Sequence, residues 1–232
     1  MIPKTIHQIW EGETLSELYE LFGKTWKEQH PDWRYEFWNG ERMATFIKDH
    51  YPLLANFYFE FPYNIQRWDV IRYLILYQIG GMYIDFDYEC IDSVDRYIDG
   101  NNKCYFSMEP EDHCVNFFGC DTFSNALMVS CPGHPFFKKI IDHIFFESKY
   151  VYTNNKIHDV HATTGPVMLR ELYKNYPFKD EIVLWPAELA SAWSKSDVEN
   201  FIKGTAEDLL EKKLEKAFAV HYFFSSWAKN NK

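Results

Sequence analysis

Asp85 and Asp87 stand one residue apart, just after the short apolar run Met82-Tyr83-Ile84. In an extended chain residues i and i+2 point to the same side, so these two carboxylates converge on one ligand. Carboxylates that close repel each other unless a positive charge sits between them. A hard divalent ion such as Mg2+ or Mn2+, itself bound to phosphate oxygens, meets that need. A bare DxD is also what a solvated acidic turn looks like, so the residues before it matter. There, Asp69 and Arg72 lie three apart in a run, residues 68–77, that is apolar almost all the way round. Such a helix is buried, and a buried charge needs a partner. The pair either locks the helix to a loop as a structural ion pair or meets a ligand.

Patterning supplies the elements that hold these groups. Residues 64–78 form the strongest helix, with Asn64 as its cap and Gly80 or Gly81 ending it in the left-handed conformation. The glycine pair permits a tight turn into a buried strand, residues 82–85. Ligands bind beyond the carboxyl ends of strands in open α/β sheets, and the two aspartates sit at such an end. Residues 5–10, 35–38, 103–108, 115–118, 126–130, 182–185 and 218–223 read as further strands. Residues 15–29, 41–49, 53–59, 136–147, 164–173 and 207–216 read as helices. Strands interspersed with helices predict an α/β layered sheet. Nothing repeats and no linker divides the chain, so residues 1–232 are expected to form one domain.

Composition narrows the function classes. With 24 basic and 34 acidic residues the formal charge is −10, which argues against nucleic acid as a partner. It also argues against broad attachment to anionic lipid, a local patch excepted. A hydrophobic content of 47% with 19% aromatics excludes a disordered chain. The five cysteines include no CxxC pair, so neither a disulfide scaffold nor a structural zinc site is expected. Reduced thiols in the cytoplasm are the simplest reading. The N-terminal residues lack the charged and apolar regions of a signal peptide. Residues 70–84 are too short, and too interrupted by Arg72, Gln78 and the glycine pair, to span a bilayer. An exposed aromatic patch leaves room for peripheral contact at the inner face of the membrane.

The run Asp69-x-x-Arg72-Tyr73-x-x-Leu76-Tyr77-x-x-Gly80-Gly81-x-Tyr83-x-Asp85-x-Asp87 resembles the sugar-nucleotide signature of glycosyltransferase family 32. That family is similar to yeast-type initiating mannosyltransferases, bacterial capsular polysaccharide transferases and, more distantly, the large glucosylating bacterial toxins. The opening Ile2-Pro3-Lys4-Thr5-Ile6-His7-Gln8-Ile9-Trp10 is similar to the family's first strand, and His221 with Ser226-Trp227 to its closing motif.

The resemblance implies a GT-A fold, a mixed central sheet flanked by helices. A nucleotide-sugar part would occupy about residues 1–110 and an acceptor-side part about 111–232. It implies retaining transfer of a hexose from a UDP- or GDP-sugar, with Mn2+ or Mg2+. The acceptor would be a glycan or lipid-linked saccharide in surface polysaccharide or capsule synthesis. By position, Asp69 and Arg72 would hold the donor sugar and diphosphate, Asp85 the ribose or sugar, and Asp87 the metal. Trp10 would lie near the base, Asn125 would contact donor or acceptor, and His221 would be a metal ligand or diphosphate contact. Asp85, Asp87 and Arg72 would form the catalytic group, since the metal and Arg72 oppose the charge that develops on the β-phosphate. No carboxylate stands out as a nucleophile. The acceptor hydroxyl would attack from the leaving-group face, with a diphosphate oxygen taking its proton. The sequence departs from the family at Trp68, where a small residue is usual, and over residues 185–193.

Each residue also has a plainer account. His221 in an apolar strand and Trp10 at a strand end are ordinary core residues by type. Asn125 can be a turn residue at a strand start. Glu109, Glu111 and Asp112 read as a solvated acidic loop, with acceptor contact the other option. Thr163-Thr164-Gly165-Pro166 makes a helix start or an acceptor-side loop. His158 and His161 read as loop residues without a metal. Two other functions carry a DxD or aromatics: a phosphohydrolase with its first Asp as nucleophile, and a non-catalytic sugar-binding module. Neither needs the Asp69/Arg72 pair.

Overall fold

The computed structural model describes residues 1–99 and 103–224. The chain builds β1 (Thr5–Ile9), β2 (Arg34–Trp38), β3 (Gly81–Ile84), β4 (Tyr88–Cys90), β5 (Cys104–Met108), β6 (Phe123–Ser130), β7 (Ile182–Trp185) and β8 (Ala219–His221). Six of these form a mixed sheet in the order β2-β1-β3-β6-β5-β7. β1 runs parallel to both β2 and β3, and β7 parallel to β5, whereas β6 is antiparallel to β3 and β5. The remaining two, β4 and β8, pair antiparallel beside it.

Alternation along the strands sends side chains to two cores. Ile6, Met82, Ile84, Tyr105, Leu127 and Val129 pack with Trp26 of the helix Glu17–Gln29 on one face. Ile9, Tyr83, Phe106 and Met128 pack on the other, against the helices Asn64–Gln78, Pro135–Asp142 and Pro166–Lys174. A sheet covered on both faces explains why β3 is apolar throughout. The layered α/β sheet expected from the sequence is therefore present. Among the described residues no helix is long and apolar enough to cross a membrane.

The glycine pair has a steric cause. Gly80 and Gly81 both have positive φ, +73° and +101°. A Cβ on Gly81 would lie 2.5 Å from the Thr5 carbonyl oxygen, because β3 enters the sheet hard against β1. His7 secures the same junction. Trp38 donates its indole N–H to His7 Nδ1 at 3.1 Å, so the ring proton lies on Nε2, which donates to the Gly80 carbonyl at 2.9 Å.

Several elements differ from expectation. Residues 115–118 are not a strand but part of a π-helical turn, Cys114–Phe118, closed by left-handed Gly119. Residues 156–163 are a helix rather than a loop, because the Asn155 side chain caps it through the His158 N–H. The helix Lys195–Ile202, capped by Ser194 with Asp197, was not expected. The N-cap of the central helix is Tyr63 rather than Asn64, whose Oδ1 instead accepts from Arg67 at 2.8 Å. The aspartates sit in a turn, not a strand: β3 ends at Ile84, and Tyr88 N–H reaches back to the Asp85 carbonyl at 3.3 Å. Ser226 and Trp227 of the closing motif lie outside the described residues.

Two outcomes follow for stability. Gly81→Ala should lose roughly 2–4 kcal/mol, from backbone strain plus the clash with Thr5. Gly133→Ala, also left-handed (φ +71°) but with nothing within 4 Å of its Cβ, should lose about 1 kcal/mol. Equal urea midpoints for the two variants would contradict the steric account. Burial lowers the His7 pKa from 6.5 to about 4. Between those values the unfolded chain takes up a proton that the folded chain refuses, so this stabilising contribution, present above pH 6.5, is lost as pH falls towards 4. The loss amounts to roughly 3 kcal/mol. Urea unfolding of His7→Gln should show a flatter slope across that window than the wild type.

Candidate active site

The carboxyl ends of β1 and β3 open onto a cavity of about 780 Å3. Its walls include Trp10, Asp69, Arg72, Asp85, Asp87, Asn125 and His221, so the fold brings together all seven residues singled out from the sequence. They fall into two linked groups.

The first group centres on Arg72. The helix Asn64–Gln78 buries almost every side it has, and Arg72 and Asp69 side chains are only 6% and 4% exposed. Arg72 Nη1 lies 3.5 Å from Asp69 Oδ1, and its two terminal nitrogens each lie 3.4 Å from an Asp85 oxygen. It also donates to the carbonyls of Trp68 and Asn125. Burial opposes its charge, but the neighbouring carboxylates, Asp85 foremost, raise its pKa still further. Asp69 has every position filled: Asn125 Nδ2 donates to Oδ1 at 2.9 Å and the Thr164 hydroxyl to Oδ2 at 2.8 Å. Burial lifts its carboxyl to about 6 despite Arg72. Asp69 thus orients Arg72 and Asn125, and Arg72 and Asp85 are the members that present charge to the cavity. Burial also raises the Asp85 pKa, against the pull of Arg72, while Tyr83 donates its hydroxyl to Asp85 Oδ1 at 2.5 Å.

The second group is Asp87 with His221. The short pairing of β4 with β8 brings them together, His221 Nε2 lying 3.2 Å from Asp87 Oδ1. The Phe224 N–H donates to Asp87 Oδ2 at 3.0 Å. Burial works against both charges, yet each offsets the other. The Asp87 carboxyl is held below its usual range and the His221 imidazolium above its own. The ring stacks on Tyr88, and its Nδ1 is buried with no hydrogen-bond partner among the described residues.

Trp10 and Trp68 form a further wall. Trp10 continues β1 by donating its backbone N–H to Trp38, and its indole N–H goes to the Thr14 carbonyl at 3.0 Å. Trp68 donates its indole N–H to Glu11 at 2.7 Å and lines the same wall, so the bulk at that position narrows the cavity beside Arg72. Asn125 lies inside β6 and is buried, not in a turn. Residues 163–166 make the expected helix start, with Gly165 capping the helix Pro166–Lys174, and Thr164 in addition holds Asp69. His161 lines the cavity from the helix Lys156–Thr163, whereas His158 is exposed. Two contributions escaped sequence reading: Tyr83 towards Asp85 and Thr164 towards Asp69; Glu109, read as a solvated or acceptor-contacting residue, lines the cavity. Tyr83 carried one signal, its i−2 spacing from Asp85. Thr164 meets Asp69 across 95 residues of chain, and no local pattern reports such a pairing.

A sheet ordered in this way, with a DxD turn at the end of a parallel strand, defines a GT-A fold. The ligand-free glycosyltransferase domain of the YGT toxin superposes with a TM-score of 0.58 at 9% identity, covering 91% of this chain and 89% of that one. Residues 17–104 match the family described as the glycosyltransferase sugar-binding region containing DXD motif. Inositol phosphoceramide mannosyltransferase 2 of Schizosaccharomyces pombe is 32% identical over 176 residues, 76% of this chain and 47% of the relative. Inositol phosphoceramide mannosyltransferase 3 of the same yeast is 30% identical over 232 residues, 97% of this chain and 56% of the relative. The chain spans about half the length of these curated relatives. The resemblance to family 32 is thus borne out: the chain carries the DXD sugar-binding region of these glycosyltransferases and has their fold.

Removing Arg72 leaves Asp69 and Asp85 without their buried counter-charge. Arg72→Ala should therefore lose about 3 kcal/mol or more in urea unfolding, and Arg72→Lys less. A wild-type midpoint for Arg72→Ala would mean that the two carboxylates do not need the guanidinium.

Proposed function

We propose that this chain is a metal-dependent, retaining glycosyltransferase. In this reading it moves a hexose from a nucleotide-sugar donor to a saccharide acceptor, free or lipid-linked. One observation carries the reading: two charge pairs, Arg72–Asp85 and His221–Asp87, flank a single DxD turn inside one cavity. A diphosphate leaving group needs positive charge where its own negative charge grows, and Arg72 is fixed there before any ligand arrives. The relatives named mannosyltransferases favour mannose as the sugar. A glycolipid or a surface polysaccharide is then the natural product, made on the cytoplasmic side with peripheral contact at the membrane's inner face.

The residues also fit a divalent ion. Asp87 would hold it, with Asp85 on the same wall, and His221 would join once its imidazolium had given up its proton to become a neutral ligand. Among the described residues no group of three or more His, Cys, Asp or Glu closes a metal cage. An ion completed by water and diphosphate oxygens, as Mg2+ commonly is, asks for only one or two carboxylates. When bound it supplies positive charge against the diphosphate. The chain's own share is separate. Arg72 opposes charge on the leaving group, Asp69 holds Arg72, and Trp10 offers a ring edge and face near the base. The acceptor hydroxyl attacks the anomeric carbon from the leaving-group face as the bond to the diphosphate breaks, its proton passes to a diphosphate oxygen, and the anomeric configuration is kept.

Incubation with UDP- and GDP-hexoses, with and without Mn2+, tests this. Sugar transfer or slow donor hydrolysis that depends on the metal is expected. Asp87→Asn should cut it by about 100-fold or more, as loss of a charge-stabilising group does, while melting within a few degrees of the wild type. Phosphate release from simple monoesters would point to a hydrolase instead, and binding without turnover to a sugar-binding module.

A further inference from the structure

Glu109 follows β5 and heads the acidic segment that reads as solvated, yet its side chain is only 8% exposed and lines the cavity. Its backbone N–H donates to the Thr122 carbonyl at 2.9 Å, which continues the β5–β6 pairing and fixes its place. Among the described residues the carboxylate has one hydrogen-bond partner. His113 Nδ1 lies 3.0 Å from Oε2. His113 Nε2 accepts the Lys195 N–H at 2.9 Å, so the ring proton sits on Nδ1 and is donated to Glu109. No arginine or lysine among the described residues pairs with this carboxylate. A carboxylate so deeply buried, with one oxygen held by a neutral ring, keeps its second oxygen for a donor supplied from the cavity.

A saccharide acceptor carries such donors in its hydroxyls, whereas a diphosphate would be repelled. The donor-side groups Trp10, Asp69, Arg72 and Asn125 come from β1, the central helix and β6. Glu109 reaches the same cavity from a different element, the end of β5, and lies close enough to His221 to raise its pKa. We propose that Glu109 recognises the acceptor by accepting a hydrogen bond from one of its hydroxyls, with His113 as the positioning residue that orients the carboxylate. This deepens the transferase reading and rests on it.

The test compares transfer to a methyl α-D-mannopyranoside, methyl α-D-glucopyranoside and myo-inositol panel with hydrolysis of the same donor by water, which needs no acceptor. In Glu109→Gln the ratio of transfer to hydrolysis should fall at least about tenfold, through a higher acceptor KM, as loss of a charge-assisted hydrogen bond predicts. Glu109→Asp keeps the charge but shortens the reach, so it should shift the ratio in the same direction should Glu109→Gln fold poorly. His113→Asn should raise acceptor KM by less. An unchanged ratio in both Glu109 variants would overturn the assignment, as would a wild-type protein that hydrolyses donor but accepts none of the panel. A wild type that consumes no donor would instead bring down the transferase reading, and this assignment with it.

Discussion

A guanidinium that cannot shed its proton is buried between two carboxylates on one side of a central sheet, and most of the cavity is arranged around that fact. Arg72 belongs to a helix buried on almost every side, so its guanidinium is largely withdrawn from water and faces the cavity. Its charge is tolerable only because Asp69 and Asp85 approach it from two elements. Asp69 in turn needs Asn125 and Thr164, and Tyr73 ties the latter two together by accepting from Asn125 and donating to the Thr164 carbonyl. A strand, two helices and the DxD turn thereby share one electrostatic knot.

The same knot makes the cavity rigid. Groups that face a ligand are held by partners in the core, so little has to reorganise when charge develops at the cavity. Asp87 and His221 repeat the device from the other side, with Tyr88 and the Phe224 N–H as supports. The two aspartates of the DxD therefore differ in kind. Asp85 answers a buried arginine, and Asp87 answers a histidine brought in from the C-terminal strand. Burial raises the pKa of the first, while the imidazolium lowers that of the second. One local motif is split into two environments by long-range packing.

Local signals located the strongest elements well. The central helix, its glycine stop and the strand after it follow from apolar content and from φ values that only glycine adopts freely. Elements built on weaker signals came out differently. Residues 115–118 are rich in β-formers, yet Pro110 and left-handed Gly119 bracket them into helical turns. The helix Lys195–Ile202 announced itself only through its Ser194–Asp197 cap. Convergence of Asp85 and Asp87 on one cavity holds, but through a turn, not through the extended geometry that predicted it.

Residue type and spacing by themselves determined that a buried charged helix precedes a pair of aspartates, and that something cationic must answer them. Those conclusions need only the cost of burying charge and the periodicity of helix and strand, both local properties. Tertiary structure decided the partners. That Asp69 is held by Asn125 and Thr164, and that His221 reaches Asp87 across more than a hundred residues, both depend on strand order. Pairing between residues distant in the chain is set by how the whole sheet closes its two cores, and no stretch of sequence carries that information alone.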